Sequence, residues 1–348
     1  MLSPEVENLL FPAIDQPNQS GYISTEDREH ELYFEEYGNP QGIPVVYLHG
    51  GPGAGLADYY ARYFDPDVFR IILYDQRCAA KSKPYGVFTT TPPLLHIEDL
   101  ETLRKALGID KFHLVGGSWG TTIAILYAQK YPKNTLSIVL RAVFLCRRND
   151  INKRFSRGFR RFPEYARGFL NALPERIRSQ IDCDDVTSHI PLIEKSFFDL
   201  VMHNDPEIYE PAAIAWTLFE LRTCFKDKDS VLPDDMLYAG TLEAKKYMVD
   251  VARGELDLSQ NYRQSVEDTI LKDCPLIGEI PVHIIHGRYD TVCTPDAAIA
   301  LYRACQSVYL DLVPGGHGAT DIEIVKAILR AMESIKEDGM PFAKRSDL

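Results

Sequence analysis

The strongest chemical signal in the sequence is a serine set among glycines, Gly116-Gly117-Ser118-Trp119-Gly120. It follows the short apolar run Phe112-His-Leu-Val115 and precedes the helix-compatible stretch Thr121 to Tyr131. That is the strand, turn and helix setting a G-x-S-x-G nucleophile elbow requires. Small neighbours permit a sharp turn that presents the hydroxyl outward, and the N-terminal end of the following helix favours developing negative charge. A glycine-rich turn carrying an idle serine is the alternative reading of the same residues.

A serine hydroxyl is a poor nucleophile until a base takes its proton. Nine histidines are available: His30, His49, His96, His113, His189, His203, His283, His286 and His317. In folds built around such an elbow the acid and then the histidine follow the serine, on loops after late strands. His317, in Gly315-Gly316-His317-Gly318 after Val308 to Val313, fits that place. Asp290, closing Gly287-Arg288-Tyr289-Asp290 after Val282 to Ile285, is the matching acid. Asp311 lies within a strand pattern and Asp321 stands where a helix N-cap is the simpler reading, so both are weaker. His283 and His286 fall three apart in a strand, on opposite faces, which argues against joint metal ligation; no metal and no cofactor is expected.

Acyl transfer also needs donors for an oxyanion. His49-Gly50-Gly51-Pro52-Gly53 follows the strand pattern Val45 to Leu48, the position of HGGG-type loops, and the N–H groups of Gly51 and Trp119 are the expected pair. A dinucleotide-binding turn competes for these residues, with Asp75 ending the next strand pattern. The glycines are out of the G-x-G-x-x-G spacing, Pro52 removes one phosphate-facing N–H, and Ser118 would go unexplained.

These side chains need a scaffold. Val45-Val-Tyr-Leu48, Arg70-Ile-Ile-Leu-Tyr74, Phe112 to Val115, Leu136-Ser-Ile-Val-Leu140, Val282-His-Ile-Ile285 and Val308 to Val313 read as strands buried on both faces. Helical patterns at Leu94 to Leu107, Thr121 to Tyr131, Pro295 to Ala304 and Asp321 to Ile335 fall between or after them, which predicts an α/β fold with a mostly parallel sheet. Glu31 to Tyr37, stopped by Gly38-Asn-Pro40, suggests an opening hairpin. The alternation ceases between Arg147 and Asp273, where helix-compatible segments such as Pro211 to Phe225 and Thr241 to Arg253 appear, and resumes at Val282. An inserted helical cap over 147–273, interrupting a core formed by 1–146 and 274–348, is the natural division.

Length and composition bound the function. The chain has 348 residues, 45% of them hydrophobic and 25% charged, so it can bury a large core. A net charge of −12 would repel a phosphate backbone or an anionic bilayer, and neither nucleic acid nor membrane is an expected partner. Seven scattered cysteines form no framework and no C-x-x-C spacing, no apolar run reaches membrane-span length, and Met1 to Ser20 lacks the pattern of a signal peptide. A cytoplasmic location is expected.

With the elbow, the HGGPG loop, Asp75-Gln76-Arg77, Gly287-Arg288-Tyr289-Asp290 and Gly316-His317 in hand, the sequence resembles the prolyl iminopeptidases, serine aminopeptidases of the α/β-hydrolase fold, from about Gly21 to Ile335. Gly116 to Ala128, ending at Pro132, looks like that family's extended elbow helix, and Arg141-Ala-Val-Phe144 also looks familial. The resemblance implies a substrate pocket that includes Arg141 and Phe144, and a helical cap whose glutamates bind the free amine of a small peptide substrate. Glu220, in Ala215-Trp216-Thr-Leu-Phe219-Glu220, is the candidate. It could instead pair with Arg222 or a surface lysine. Glu243 is the second, though it precedes Tyr247 by four residues where the family's glutamate precedes its tyrosine by three.

Departures bear on specificity. Two family glycines after Asp75-Gln-Arg are replaced in Cys78-Ala-Ala-Lys81-Ser82, and Arg154-Phe155 stands where an aromatic pair is usual, setting a cation where a proline-sized apolar wall is expected. Cys293 resembles a family cysteine near the acid and reads as a buried structural thiol. The implied activity is a serine exopeptidase that releases an N-terminal proline or similar small residue. A hydrolase of small esters, lactones or amides, or a receptor built on a degenerate hydrolase fold, would share the scaffold.

Overall fold

The computed structural model describes residues 2–86, 92–224 and 242–342. Eight strands, β1 (Gln19–Ser24), β2 (Glu31–Gly38), β3 (Ile43–Leu48), β4 (Phe69–Tyr74), β5 (Phe112–Gly117), β6 (Thr135–Arg141), β7 (Val282–Gly287) and β8 (Val308–Val313), form one sheet in the order β1-β2-β4-β3-β5-β6-β7-β8. β1 and β2 make the opening hairpin, and β2 runs antiparallel to β4. Every later pairing is parallel, so all strands from β3 to β8 end at the same rim.

Alternation along the strands feeds two apolar layers. Val46, Leu48, Ile72, Leu114, Ile138 and Ile284 face one layer, while Val45, Tyr47, Ile71, Val115, Val139 and Ile285 face the other. Outside the sheet lie α1 (Pro4–Glu7), α2 (Pro93–Ala106) and α3 (Trp119–Lys130), with two more helices near the C-terminus. The sequence reading of Val308 to Val313 as buried on both faces is corrected here. β8 is the sheet edge, and only Val313 of its six residues is buried.

Between β6 and β7 the chain leaves the sheet, and its described residues there form seven helices: α4 (Arg148–Arg161), α5 (Pro163–Asn171), α6 (Glu175–Arg178), α7 (Val186–Val201), α8 (Pro206–Thr223), α9 (Leu242–Asp257) and α10 (Arg263–Ile270). A π-helical turn at Leu258–Tyr262 joins the last two. The insertion has its own aromatic core, in which Phe169 stacks on Phe197 at 4.4 Å and on Phe219 at 4.8 Å. α4 turns Ile151, Phe155, Gly158 and Phe159 inward, a spacing that makes one apolar helix face. The core then closes with α11 (Pro295–Ala304) and α12 (Ile322–Asp338), the latter capped by the Asp321 side chain accepting from the Glu323 N–H.

Candidate active site

Ser118 sits at the tip of β5 with φ 55° and ψ −121°, a left-handed backbone that few residues other than glycine adopt. The flanking glycines are required by close approach. A Cβ on Gly116 would run into the Gly120 carbonyl, and one on Gly120 would run into the Leu48 carbonyl of β3. The first helical turn holds Ser118 from below, through Thr121 N–H to the Ser118 carbonyl at 2.9 Å.

Asp290 follows β7 and His317 follows β8, so three strand ends deliver the three groups to one rim. Asp290 Oδ1 accepts the N–H groups of Val292 and Cys293, each at 2.9 Å, and Oδ2 lies 2.9 Å from His317 Nδ1. An ionised carboxylate only accepts, so Nδ1 carries the proton and Nε2 keeps its lone pair for a hydroxyl. His286, also close to Asp290, is otherwise engaged. Its Nε2 lies 2.7 Å from the Cys293 carbonyl, its Nδ1 accepts from Val143 N–H at 3.1 Å, and burial pushes its pKa down. With both ring nitrogens engaged, His286 has no lone pair to offer a hydroxyl.

Ser118 Oγ is turned toward Cys293 Sγ, 3.9 Å away, and among the described residues it makes no hydrogen bond to His317. Links between nucleophile and base are often long before substrate arrives. Serine and histidine nevertheless hang from one arginine: Ser118 N–H donates to the Arg141 carbonyl at 2.9 Å, and Arg141 Nη1 donates to the His317 carbonyl at 2.7 Å. Arg141 thus ties the Ser118 and His317 backbones together from beneath. Its guanidinium presses against Gly117 among Tyr47, Tyr60 and Tyr63, and it does not line the cavity as a substrate-binding residue would. Phe144 does line the cavity, held by Thr121 Oγ1 and Thr122 Oγ1 at its backbone.

The loop expected to stabilise the oxyanion lies against the nucleophile, since a Cβ on Gly50 would sit 3.3 Å from Ser118 Cβ. Gly51, at φ 108°, and Pro52 line the cavity with Ser118. Gln76 ties this loop to the elbow: its Nε2 donates to the His49 carbonyl at 2.9 Å and its Oε1 accepts from Trp119 Nε1 at 3.0 Å. His49 is fully buried, its pKa pushed down to about 4 by burial, and as a neutral ring it accepts from Gln76 N–H at Nε2, 3.0 Å, and carries its proton on Nδ1, 2.8 Å from the Gly50 carbonyl. Asp75 accepts from Leu56 N–H at 2.7 Å and Lys81 N–H at 3.0 Å. These bonds give Asp75-Gln76 a scaffolding task, where the competing reading made Asp75 a ribose ligand.

Above Ser118 the insertion roofs a narrow cavity of about 40 Å³. α9 crosses the oxyanion loop closely, because only a glycine at 254 avoids the Pro52 carbonyl. Near walls are apolar: Phe144, Phe155, Trp216, Val292. Glu220 lies in the wall, where it pairs with Arg154, while the Arg222 guanidinium stacks over Tyr165. The side chain of Glu243 lies outside the described residues. Beside Glu220 stands Glu255, which the sequence reading missed. Burial and the neighbouring Glu255 push the Glu220 carboxyl up. For Glu255, burial is outweighed by Arg154 and by hydrogen bonds that include Trp216, which hold it below the ordinary range. The available signal was an acid between the buried Ala252 and Leu256 on the inward face of a helix.

Away from the cavity, Asp27, Glu29 and His30 bring ligand atoms within 4.8 Å of one another, the described cluster that could hold a metal ion. Asp27 is already engaged there by Glu29 N–H and Arg77.

Residues 43–189 match the family model described as the alpha/beta hydrolase fold. Proline iminopeptidase of Xylella fastidiosa is 36% identical over 93% of this chain and 98% of its own length. The chain belongs to the proline iminopeptidase family. A proline iminopeptidase of Neisseria meningitidis is 35% identical over 92% of this chain and 97% of that one, and one of Arabidopsis thaliana is 32% identical over 92% and 80%. This family member is a hydrolase of prolyl aminopeptidase type. Its fold also matches that of a proline iminopeptidase-related protein from Thermus thermophilus, at TM-score 0.57 and 19% identity over 92% of this chain and 96% of that one. An alpha/beta hydrolase from a deep-sea metagenome library superposes at TM-score 0.63 with 17% identity, covering 93% and 99% of the two chains. Among the described residues no helix is long and apolar enough to cross a membrane.

Proposed function

We propose that this enzyme releases an N-terminal residue, proline or one of similar size, from small peptides through an acyl-enzyme on Ser118. His317 Nε2 takes the hydroxyl proton as Ser118 Oγ attacks the first peptide carbonyl, and the N–H groups of Gly51 and Trp119 receive the oxyanion. Asp290 holds the ring and offsets the imidazolium charge. His317 then returns the proton to the leaving amine, and water repeats the cycle to free the amino acid. Residues 147–273 act as a cap that leaves room for a chain end, and the carboxylates at its inner wall face the peptide's N-terminus.

The observation that carries this reading is the 2.9 Å bond between Asp290 and His317 at the strand-end rim where Ser118 opens into a cavity walled by Glu220 and Glu255. We place the enzyme in the cytoplasm, on its scattered cysteines, all of them free thiols. Ser118→Ala should abolish turnover of prolyl and alanyl β-naphthylamides with folding intact. Retention of full activity would end the assignment.

A further inference from the structure

The acyl-transfer scheme gives Arg154 no task, yet its guanidinium lies between two of the carboxylates that line the cavity, Glu220 and Glu255. Nη2 is 2.7 Å from Glu220 Oε2 and Nη1 is 3.3 Å from Glu255 Oε2, while Trp216 Nε1 donates to the same Glu255 oxygen at 2.7 Å. Three helices contribute, α4 with Arg154, α8 with Glu220 and Trp216, and α9 with Glu255. The cluster is dry: the three charged side chains are 14%, 13% and 9% exposed. The guanidinium is further fixed over the Trp216 ring at 5.7 Å and the Phe155 ring at 5.9 Å.

Buried carboxylates need a cation, and here the chain supplies it. A tethered guanidinium holds its place at high effective concentration, so a free ammonium arriving from solution meets an occupied site. With both carboxylates ionised the cluster keeps one negative charge, and the upward push on Glu220 moves it toward neutrality. An uncharged, N-blocked aminoacyl group can enter without stranding either carboxylate, because Arg154 stays bonded to both.

We propose that Arg154 is a specificity-determining residue, a built-in counter-ion on Glu220 and Glu255 with which a substrate's α-ammonium must compete, so that the acyl pocket accepts N-blocked aminoacyl groups alongside free-amine ones. This rests on the reading of Ser118 as the acylated nucleophile and of the wall carboxylates as facing the N-terminus.

The test compares kcat/KM for prolyl β-naphthylamide and its N-acetyl form in the full-length enzyme. In the wild type the free amine should be favoured only modestly. Arg154→Met should raise the free-to-blocked ratio by roughly tenfold or more, the size of one charge-assisted contact, and adding Glu220→Gln to that variant should return most of the gain. An unchanged or lower ratio in R154M, with fluorophosphonate labelling of Ser118 at the wild-type rate, overturns the proposal. So does a wild-type preference of roughly 10⁴, the mark of a site built around its substrate's own polar group. If R154M does not fold, Arg154→Lys carries the same test: an ammonium serves one carboxylate at a time, so the ratio should rise by less, and a wild-type ratio overturns the idea. Failure of the underlying reading shows separately, as turnover of either substrate by Ser118→Ala.

Discussion

Asp290 divides its work between two oxygens, and the division makes a sharp prediction at the scale of one residue. Oδ1 fixes the loop by accepting two backbone N–H groups, and Oδ2 fixes the tautomer of His317. Asparagine can keep the first task, since its carbonyl oxygen still accepts. It fails the second, because its amide offers a donor to a ring nitrogen that must itself donate. Asp290→Asn should therefore fold normally, keep KM within a few fold and lose about 10³ to 10⁴ in kcat. Fluorophosphonate labelling of Ser118 should slow in parallel, and a variant that loses turnover without losing labelling rate would break the link. The triad candidates were legible because each residue ends a strand, at positions where chain order alone prunes nine histidines to one. The place of Arg141 was not legible. Whether an arginine after a strand points into a cavity or under a neighbouring loop is settled by packing, here by the absence of a Cβ on Gly117.

At the scale of elements, the proposed nucleophile and the proposed oxyanion loop belong to different strands, β5 and β3, and Gln76 after β4 is what registers one against the other. Replacing Gln76 by Leu leaves the buried His49 carbonyl and Trp119 Nε1 without their partner, at about 1–3 kcal/mol of stability. Loosened donors should lower kcat by roughly 10- to 100-fold with KM nearly unchanged, because substrate carbonyl and oxyanion differ by only a short displacement. Steady-state kinetics and a melting curve on the same sample separate the two effects, and a loss confined to KM would assign Gln76 to substrate contact. Strands were the readable elements, since β3 to β7 must satisfy burial on two faces and carry near-continuous β-branched runs. The inner wall of the insertion was harder. Glu243 rests on the family resemblance alone and stands one residue off the family's spacing to a tyrosine, whereas Glu255 reaches the wall because α9 crosses α8, and Arg154 because α4 faces both.

For the whole molecule the decisive contact is between the helical insertion and the sheet. α9 lies on the oxyanion loop at Gly254 and, one turn earlier, buries Asp250 beside Gly86, whose Cβ position is 3.5 Å from Asp250 Oδ1. Burial pushes the Asp250 carboxyl up to about 7, against the lowering effect of Tyr85, Lys246 and Arg253. A carboxyl raised in the folded state keeps its proton there after the unfolded chain has released it. Between pH of about 4 and 7 the folded form thus binds more protons, and stability falls as pH rises through that window. Asp75 and Asp257, raised to about 6, add to the same slope over its lower part. Asp250→Asn should leave the melting temperature unchanged at pH 4 and raise it at pH 8, by a stabilisation on the order of 1–4 kcal/mol. An equal gain at both pH values would mean that the asparagine simply packs better. The same variant reports on the cavity, because α9 carries both Asp250 and the wall residue Glu255: a firmer seat for α9 should weaken the pH dependence of KM at alkaline pH while leaving the acylation rate at saturation alone.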